Sequence, residues 1–310
     1  MQFISFEDAD PMLNWTETAN AIEQGHKYGK AEIGDLLLSK ADKSLLSRGA
    51  WIEGVGIALK SVTVFPENAS KTPSEPSVQG AMLVFDSENG ALQSVIDGPL
   101  VTKWKTAGDS VLGARLLARA DAKSYLVIGA GTVAKSLLQA YREIFPGLEA
   151  FTIWNRNAEK AEKLSAELGA EGFNVAVATD LEAAVKAADI ISTATMAKEP
   201  ILKGDWVSAG THVDLIGAYR PDMREADDTL MAKGRVFVDA RETTIGEIGE
   251  LMMPMANGTL SRMDVLGDYQ DLCNGMTGRQ ADEDITVFKN GGGAHLDLMT
   301  GAMILRKVSA

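Results

Sequence analysis

The chain has 310 residues, 45% hydrophobic and 24% charged, the balance of a soluble globular protein long enough for two ordinary domains. Its formal net charge of −13 leaves no general basic field for nucleic acid or an anionic membrane, although a local basic pocket remains compatible with it. The single cysteine, Cys273, excludes an internal disulfide, and three histidines without metal-ligand spacing argue against a metal site.

An acidic start and the lack of any long apolar run argue against a signal peptide or a membrane span, so a cytoplasmic location is expected. From Asp8 to about Tyr28 the apolar spacing predicts one or two helices. Short β-like runs follow at Leu45–Ile52, Gly56–Phe65, Val78–Phe85 and Leu92–Asp97, separated by turn residues such as Glu53-Gly54 and Asn89-Gly90. Thr102–Ala118 reads as a long helix leading to a linker at 119–123. Strands are then expected at Tyr125–Ile128, Thr152–Trp154, Asn174–Ala176, Ile190–Thr193, His212–Ile216 and Val236–Val238, with helices at Ala158–Leu168 and Leu181–Ala188 between them. This alternation predicts a parallel, doubly wound α/β sheet. The tail, Asp284–Leu305, holds a triple-glycine turn and a final apolar helix. The expected organisation is a Rossmann-type dinucleotide domain, 121–288, inserted in an α+β substrate-binding and dimerisation domain made of 1–120 and 289–310.

The most informative motif lies at Tyr125–Ala134. An apolar run meets Gly129, Gly131 and Ala134 in a G-x-G-x-x-A arrangement, a helical stretch follows, and a second apolar run ends at Asn155-Arg156. The first glycine permits the tight turn, the second lets backbone approach a pyrophosphate, and Ala134 lets the helix sit close to its strand. Expected cofactor contacts are Gly129, Gly131, Thr132, Val133, Asn155, Arg156, Thr193 and Gly217.

Three cations stand out in the first part of the chain: Arg48, Lys60 and Lys105, the last read as opening a helix. Lys60 is set among Leu59, Val62, Val64 and Phe65, neighbours that want burial, and a buried ammonium needs an anion. A substrate carboxylate is the expected counter-charge.

Lys60-Ser-Val-Thr-Val-Phe-Pro-Glu-Asn68, Pro76-Ser-Val-Gln-Gly80, Ile96-Asp97-Gly98, Lys105-Thr-Ala-Gly-Asp-Ser110, Ile128-Gly-Ala-Gly131, Trp154-Asn-Arg156 and Gly217-Ala-Tyr-Arg-Pro221 occur in that order. Together they resemble the ornithine cyclodeaminase/μ-crystallin family over nearly the whole chain. The resemblance implies a homodimer paired through the sheets of its α+β domains. It also implies one of two chemistries: cyclisation of ornithine, or reduction of α-imino acids with NADH or NADPH. It places Arg48 and Lys60 on the substrate carboxylate, with Lys105 where many members carry Arg. That replacement keeps the charge and loses the bidentate fork.

Tyr219 stands where the cyclodeaminases have an Asp, and a phenol with a pKa near 10 is a poor base at neutral pH, so reduction is the expected chemistry. Catalytic roles fall to Lys60, Arg48 and Lys105, with Lys60 also a candidate proton source. Arg220 is a further candidate cation. His295 is read first as a structural residue at a helix start, with proton exchange as the alternative, and Gln79 as a possible substrate contact. Several cations around one pocket suit a dicarboxylate, and Trp104-Lys-Thr-Ala-Gly-Asp-Ser110 resembles the iminosuccinate reductases of the family; that resemblance implies iminosuccinate, reduced to L-aspartate, as the first choice of substrate. The alternatives are Δ1-pyrroline-2-carboxylate or an alanine dehydrogenase reaction. Ornithine cyclodeamination and a non-enzymatic μ-crystallin-like binding role rank lower. Asn155-Arg156 lacks the acid that favours NAD and suits a 2′-phosphate, whereas the iminosuccinate resemblance favours NAD; NAD(H) is preferred over NADP(H) by a small margin.

Overall fold

A computed structural model describes residues 2–309. Backbone contacts divide the chain into two compact units, one formed by the residues up to Gly108 with those from Gly293 onward, the other by Asp109–Gly292.

The first unit is built on a six-stranded sheet: β1 (Gln2–Ile4), β2 (Glu32–Lys40), β3 (Lys43–Ile52), β4 (Gly56–Val64), β5 (Val78–Phe85) and β6 (Leu92–Asp97). Its order is β1-β6-β5-β4-β3-β2, an antiparallel meander from β2 to β6 with β1 added parallel to β6. The C-terminal helix Ala294–Ser309 packs on β3, β4 and β5 and against the helix Trp15–Gly25. Its residues from Ala294 to Ile304 are all buried, which is why it reads as apolar throughout rather than along one stripe. Asn14 caps the Trp15–Gly25 helix by accepting from the Glu17 amide. The strand β2, which the periodicity does not indicate, lies at the sheet edge with every residue exposed, including Leu36, Leu37 and Leu38.

The second unit holds an eight-stranded, wholly parallel sheet of β7 (Ser124–Ile128), β8 (Ala150–Trp154), β9 (Ala176–Val177), β10 (Ile190–Thr193), β11 (His212–Leu215), β12 (Arg235–Val238), β13 (Val265–Gly267) and β14 (Thr286–Lys289). Its order is β13-β12-β14-β11-β10-β7-β8-β9, so the chain reverses direction across the sheet between β7 and β10. This is a Rossmann-type doubly wound fold, and ligands of such sheets bind beyond the strand ends at that reversal. Leu126, Ile128, Ile191, Val213, Leu215, Val236 and Val287 form its core, on strands buried on both faces.

The contact division falls after Gly108 and Gly292, not after residues 120 and 288. The reason at the first boundary is the helix Gly98–Leu117, continuous through Gly108. Its second half carries the buried Val111, Leu112, Ala114 and Leu117, and a Cβ on Gly113 would meet the Phe288 ring at 2.7 Å. At the second boundary, the Gly291 and Gly292 amides donate to Asp239 and tie that turn to β12.

Candidate active site

In the first unit, pairing of β2, β3 and β4 places Asp35 opposite Arg48 and Arg48 opposite Lys60. Directly opposed residues project to the same face, so two strands present both cations together. Lys60 is 8% exposed, and its Nζ donates to Asp297 Oδ1 at 2.7 Å. Lys105 Nζ lies 3.9 Å from the same oxygen. Lys105 sits well inside the helix Gly98–Leu117, not at its start, because the helix begins earlier than the spacing suggests. Arg48 Nε donates to Asp35 Oδ2 at 3.0 Å.

The anion expected for Lys60 from outside the chain is therefore already supplied from within it by Asp297, which lies 237 residues away in sequence. Burial drives the Lys60 pKa down, Asp297 opposes that, and Lys105 and Arg48 add to the lowering. For Asp297, burial alone raises the carboxyl, but Lys60 and Lys105 overcome it and hold the group below the usual range. Three cations stand against two carboxylates, Asp297 and Asp35, which leaves one positive charge in excess.

Two other candidates belong to this unit. Gln79 is exposed and its Nε2 donates to the Pro76 carbonyl at 3.4 Å. His295 is buried, edge-on to the His26 ring with centroids 5.5 Å apart.

In the second unit, β7 ends at Gly129, whose φ of 129° lies in the region that favours glycine and where a Cβ would sit 2.5 Å from the Ala194 carbonyl oxygen. Gly131 opens the helix Thr132–Ile144 with no side-chain cap, and a Cβ there would meet nothing within 4 Å. The first amides of a helix, here those of Thr132 and Val133, have no partner within the helix. Gly131, before that helix, lines a cleft of ≈ 600 Å³ with Gly129, Trp154, Asn155, Arg156 and Thr195; Val133, an expected contact, is not among its lining residues. An adjoining hollow of ≈ 500 Å³ carries Thr132, Lys135, Lys160 and Lys163. An open glycine, an uncapped helix start and local cations in an acidic protein fit the phosphates of a dinucleotide.

Two expected cofactor contacts are engaged elsewhere. Thr193 is buried and donates from its hydroxyl to Glu225 at 2.8 Å, and the Gly217 amide donates to the same carboxylate at 2.6 Å. Tyr219 is exposed, and Arg220 pairs with Asp222 at 2.7 Å. Arg220 and Lys198 hold the Asp222 carboxyl well below its usual range. Sequence reasoning gave Asp297 and Glu225 no role. The first lies in a noted segment, but its pairing is long-range. The second sits in the acidic run Glu225-Ala-Asp-Asp228, which reads as solvated surface.

The chain is 52% identical, over 98% of its length and 96% of the relative's, to a Δ(1)-pyrroline-2-carboxylate reductase of Paracoccus denitrificans. Among solved structures, the Thermococcus litoralis Δ(1)-pyrroline-2-carboxylate reductase in complex with NADH and L-proline superposes with a TM-score of 0.91 at 28% identity, covering 100% of this chain and 98% of that one. An archaeal alanine dehydrogenase dimer with bound NAD gives a TM-score of 0.90 at 26% identity, covering 99% of this chain and 95% of the other. The model of the ornithine cyclodeaminase/mu-crystallin family matches residues 50–310, and the chain belongs to that family.

Proposed function

We propose that this chain reduces Δ1-pyrroline-2-carboxylate, a cyclic ketimine with one carboxylate, to L-proline, with NADPH as the better coenzyme. It is an NAD(P)-dependent oxidoreductase acting on C=N bonds, as its imine- and ketimine-reducing relatives are. The observation that carries the choice of substrate is the single excess positive charge where Lys60, Lys105 and Asp297 meet beside Arg48. One surplus charge matches a monocarboxylate. The dicarboxylate iminosuccinate, first choice on the Trp104–Ser110 resemblance and the number of cations, loses the second support because Asp297 and Asp35 neutralise two of the three. The 52% identical relative favours the same alternative.

In this reading Arg48 and Lys105 hold the substrate carboxylate and Lys60 passes a proton to the imine nitrogen. When bound, the reduced nicotinamide supplies the hydride that reaches the imine carbon. Hydride on carbon and proton on nitrogen together turn C=N into CH–NH, which is the proline ring. Burial weakens the hold of Lys60 on its proton, and Asp297 opposes that loss. The protein's contribution is positioning and charge placement.

For the coenzyme, no acid stands at the end of β8. Asn155 and Arg156 line the cleft there with Lys160, and cations at this position suit a 2′-phosphate. Solved relatives hold NADH or NAD, which supports NAD(H) as a working coenzyme; the cations at the end of β8 are what favour NADPH. We expect L-proline as the product with both coenzymes and a higher kcat/KM with NADPH. Arg156→Ala should narrow that ratio by about 10- to 100-fold, the worth of one charge-assisted contact. Absence of L-proline, or an Arg156→Ala enzyme with an unchanged ratio, would contradict this reading.

We further infer a homodimer joined along β2. An edge strand with three consecutive exposed leucines and unpaired backbone groups is a surface that a second copy covers. Sedimentation should give the mass of two chains; the mass of one chain with Leu37 still exposed would speak against it.

A further inference from the structure

Glu225 is fully buried and accepts five hydrogen bonds. They come from the Thr193 hydroxyl at 2.8 Å, the Thr195 amide at 2.8 Å and hydroxyl at 2.7 Å, the Gly217 amide at 2.6 Å and the Ala218 amide at 3.3 Å. These donors belong to the segments leaving β10 and β11, beyond the strand ends where the sheet reverses direction. Thr195 lines the cleft together with Ala194 and Met196. The fit is close: a Cβ on Gly217 would lie 2.0 Å from the Thr195 carbonyl oxygen and 2.5 Å from Glu225 Oε1.

The carboxylate is itself fastened from behind. Its own amide and that of Ala226 donate to Glu250 at 2.8 and 2.9 Å, and its carbonyl accepts from Ile201 and Leu202, both at 2.9 Å. Lys289, also fully buried, donates to the Leu215 carbonyl at 2.8 Å and gives this group of acids a cation.

We propose that Glu225 is a positioning residue for the coenzyme: by binding both loops to one carboxylate, it sets the wall of the cleft at Thr195 and thereby coenzyme affinity. A carboxylate suits the task because it accepts at both oxygens and donates at neither, so five donors converge on it without conflict. The inference rests on the cleft being the dinucleotide site.

The test compares wild type, Glu225→Gln and Thr193→Val in NADPH titrations followed by fluorescence, alongside Tm and steady-state kinetics. Gln turns an NH₂ group toward amides that need an acceptor, whereas Val removes one buried donor and leaves the surface of the cleft unchanged. The expected result is a coenzyme Kd raised about tenfold or more in Glu225→Gln and about three- to tenfold in Thr193→Val. The imine KM at saturating coenzyme should stay within about twofold. A lowered Tm with unchanged coenzyme Kd in a folded variant would overturn the proposal and leave Glu225 a residue of the core. Should Glu225→Gln fail to fold, Thr193→Val decides on the same criterion. Failure of wild type to bind NADPH at all would instead overturn the reading of the cleft.

Discussion

Lys60→Met should lower kcat/KM for imine reduction by about 30- to 1000-fold while leaving the coenzyme Kd unchanged. On the proposed reading, the kinetic loss follows from removing the proton that reaches the imine nitrogen. Coenzyme affinity is spared because the proposed phosphate cradle is built from Gly129, Gly131 and the helix that follows them. The substitution has a second consequence: it strands Asp297, which is 2% exposed and whose Oδ2 has no hydrogen-bond partner among the described residues. Removing one partner of a buried pair costs about 3–5 kcal/mol, so Lys60→Met should also unfold more easily.

The double variant Lys60→Met/Asp297→Asn separates the two effects. It should regain most of the stability and none of the activity. Asp297→Asn alone keeps Lys60 but removes the charge that favours its ammonium. The Lys60 pKa then falls further, and the alkaline limb of the kcat/KM profile, where the proton is lost, moves to lower pH. Full activity in a folded Lys60→Met enzyme would remove Lys60 from the reaction.

Gly131→Val should abolish coenzyme binding, with Kd raised more than about 100-fold, and leave the fold intact. The backbone at Gly131, φ −95° and ψ −173°, is one that valine adopts, and the space above it is open. The branched side chain would then occupy the position proposed for the phosphate oxygens at the helix start. Gly129 makes the contrast: its positive φ and the nearby Ala194 carbonyl mean that substitution there damages the turn itself. A folded Gly131→Val protein with wild-type affinity would show that phosphates do not rest on this helix.

The parallel sheet was legible because its strands β7, β8, β10, β11 and β12 are apolar runs separated by helical periods, a pattern that short-range spacing reveals. Four strands were not. β1 and β13 have three residues each, too few for a period. β14 reads Thr-Val-Phe-Lys, and its Lys289 argues for surface although it is buried among acids. β2 contains Gly34 and Asp35 and then three leucines in a row, so it has no alternation to read; both of its faces are exposed in the single chain. The cations of the candidate site could be singled out by local incongruity, a lysine in an apolar strand. Asp297 and Glu225 could not, because their meaning lies in contacts 237 and 32 residues away respectively, and an acid in isolation reads as surface. The count of cations without those acids, together with the Trp104–Ser110 resemblance, pointed to a dicarboxylate.

The central claim is that the cluster around Lys60 accepts one carboxylate on a cyclic imine. Its most direct test is a comparison of kcat/KM for Δ1-pyrroline-2-carboxylate, iminosuccinate, iminopyruvate and, by release of ammonia, L-ornithine, at saturating NADPH for the three imines and with NAD for ornithine. The account predicts that Δ1-pyrroline-2-carboxylate leads by at least about tenfold, one charge-assisted contact's worth of discrimination, with no useful turnover of ornithine where Tyr219 stands. Iminosuccinate in first place, or proline and ammonia formed from ornithine at a rate comparable to imine reduction, would contradict it.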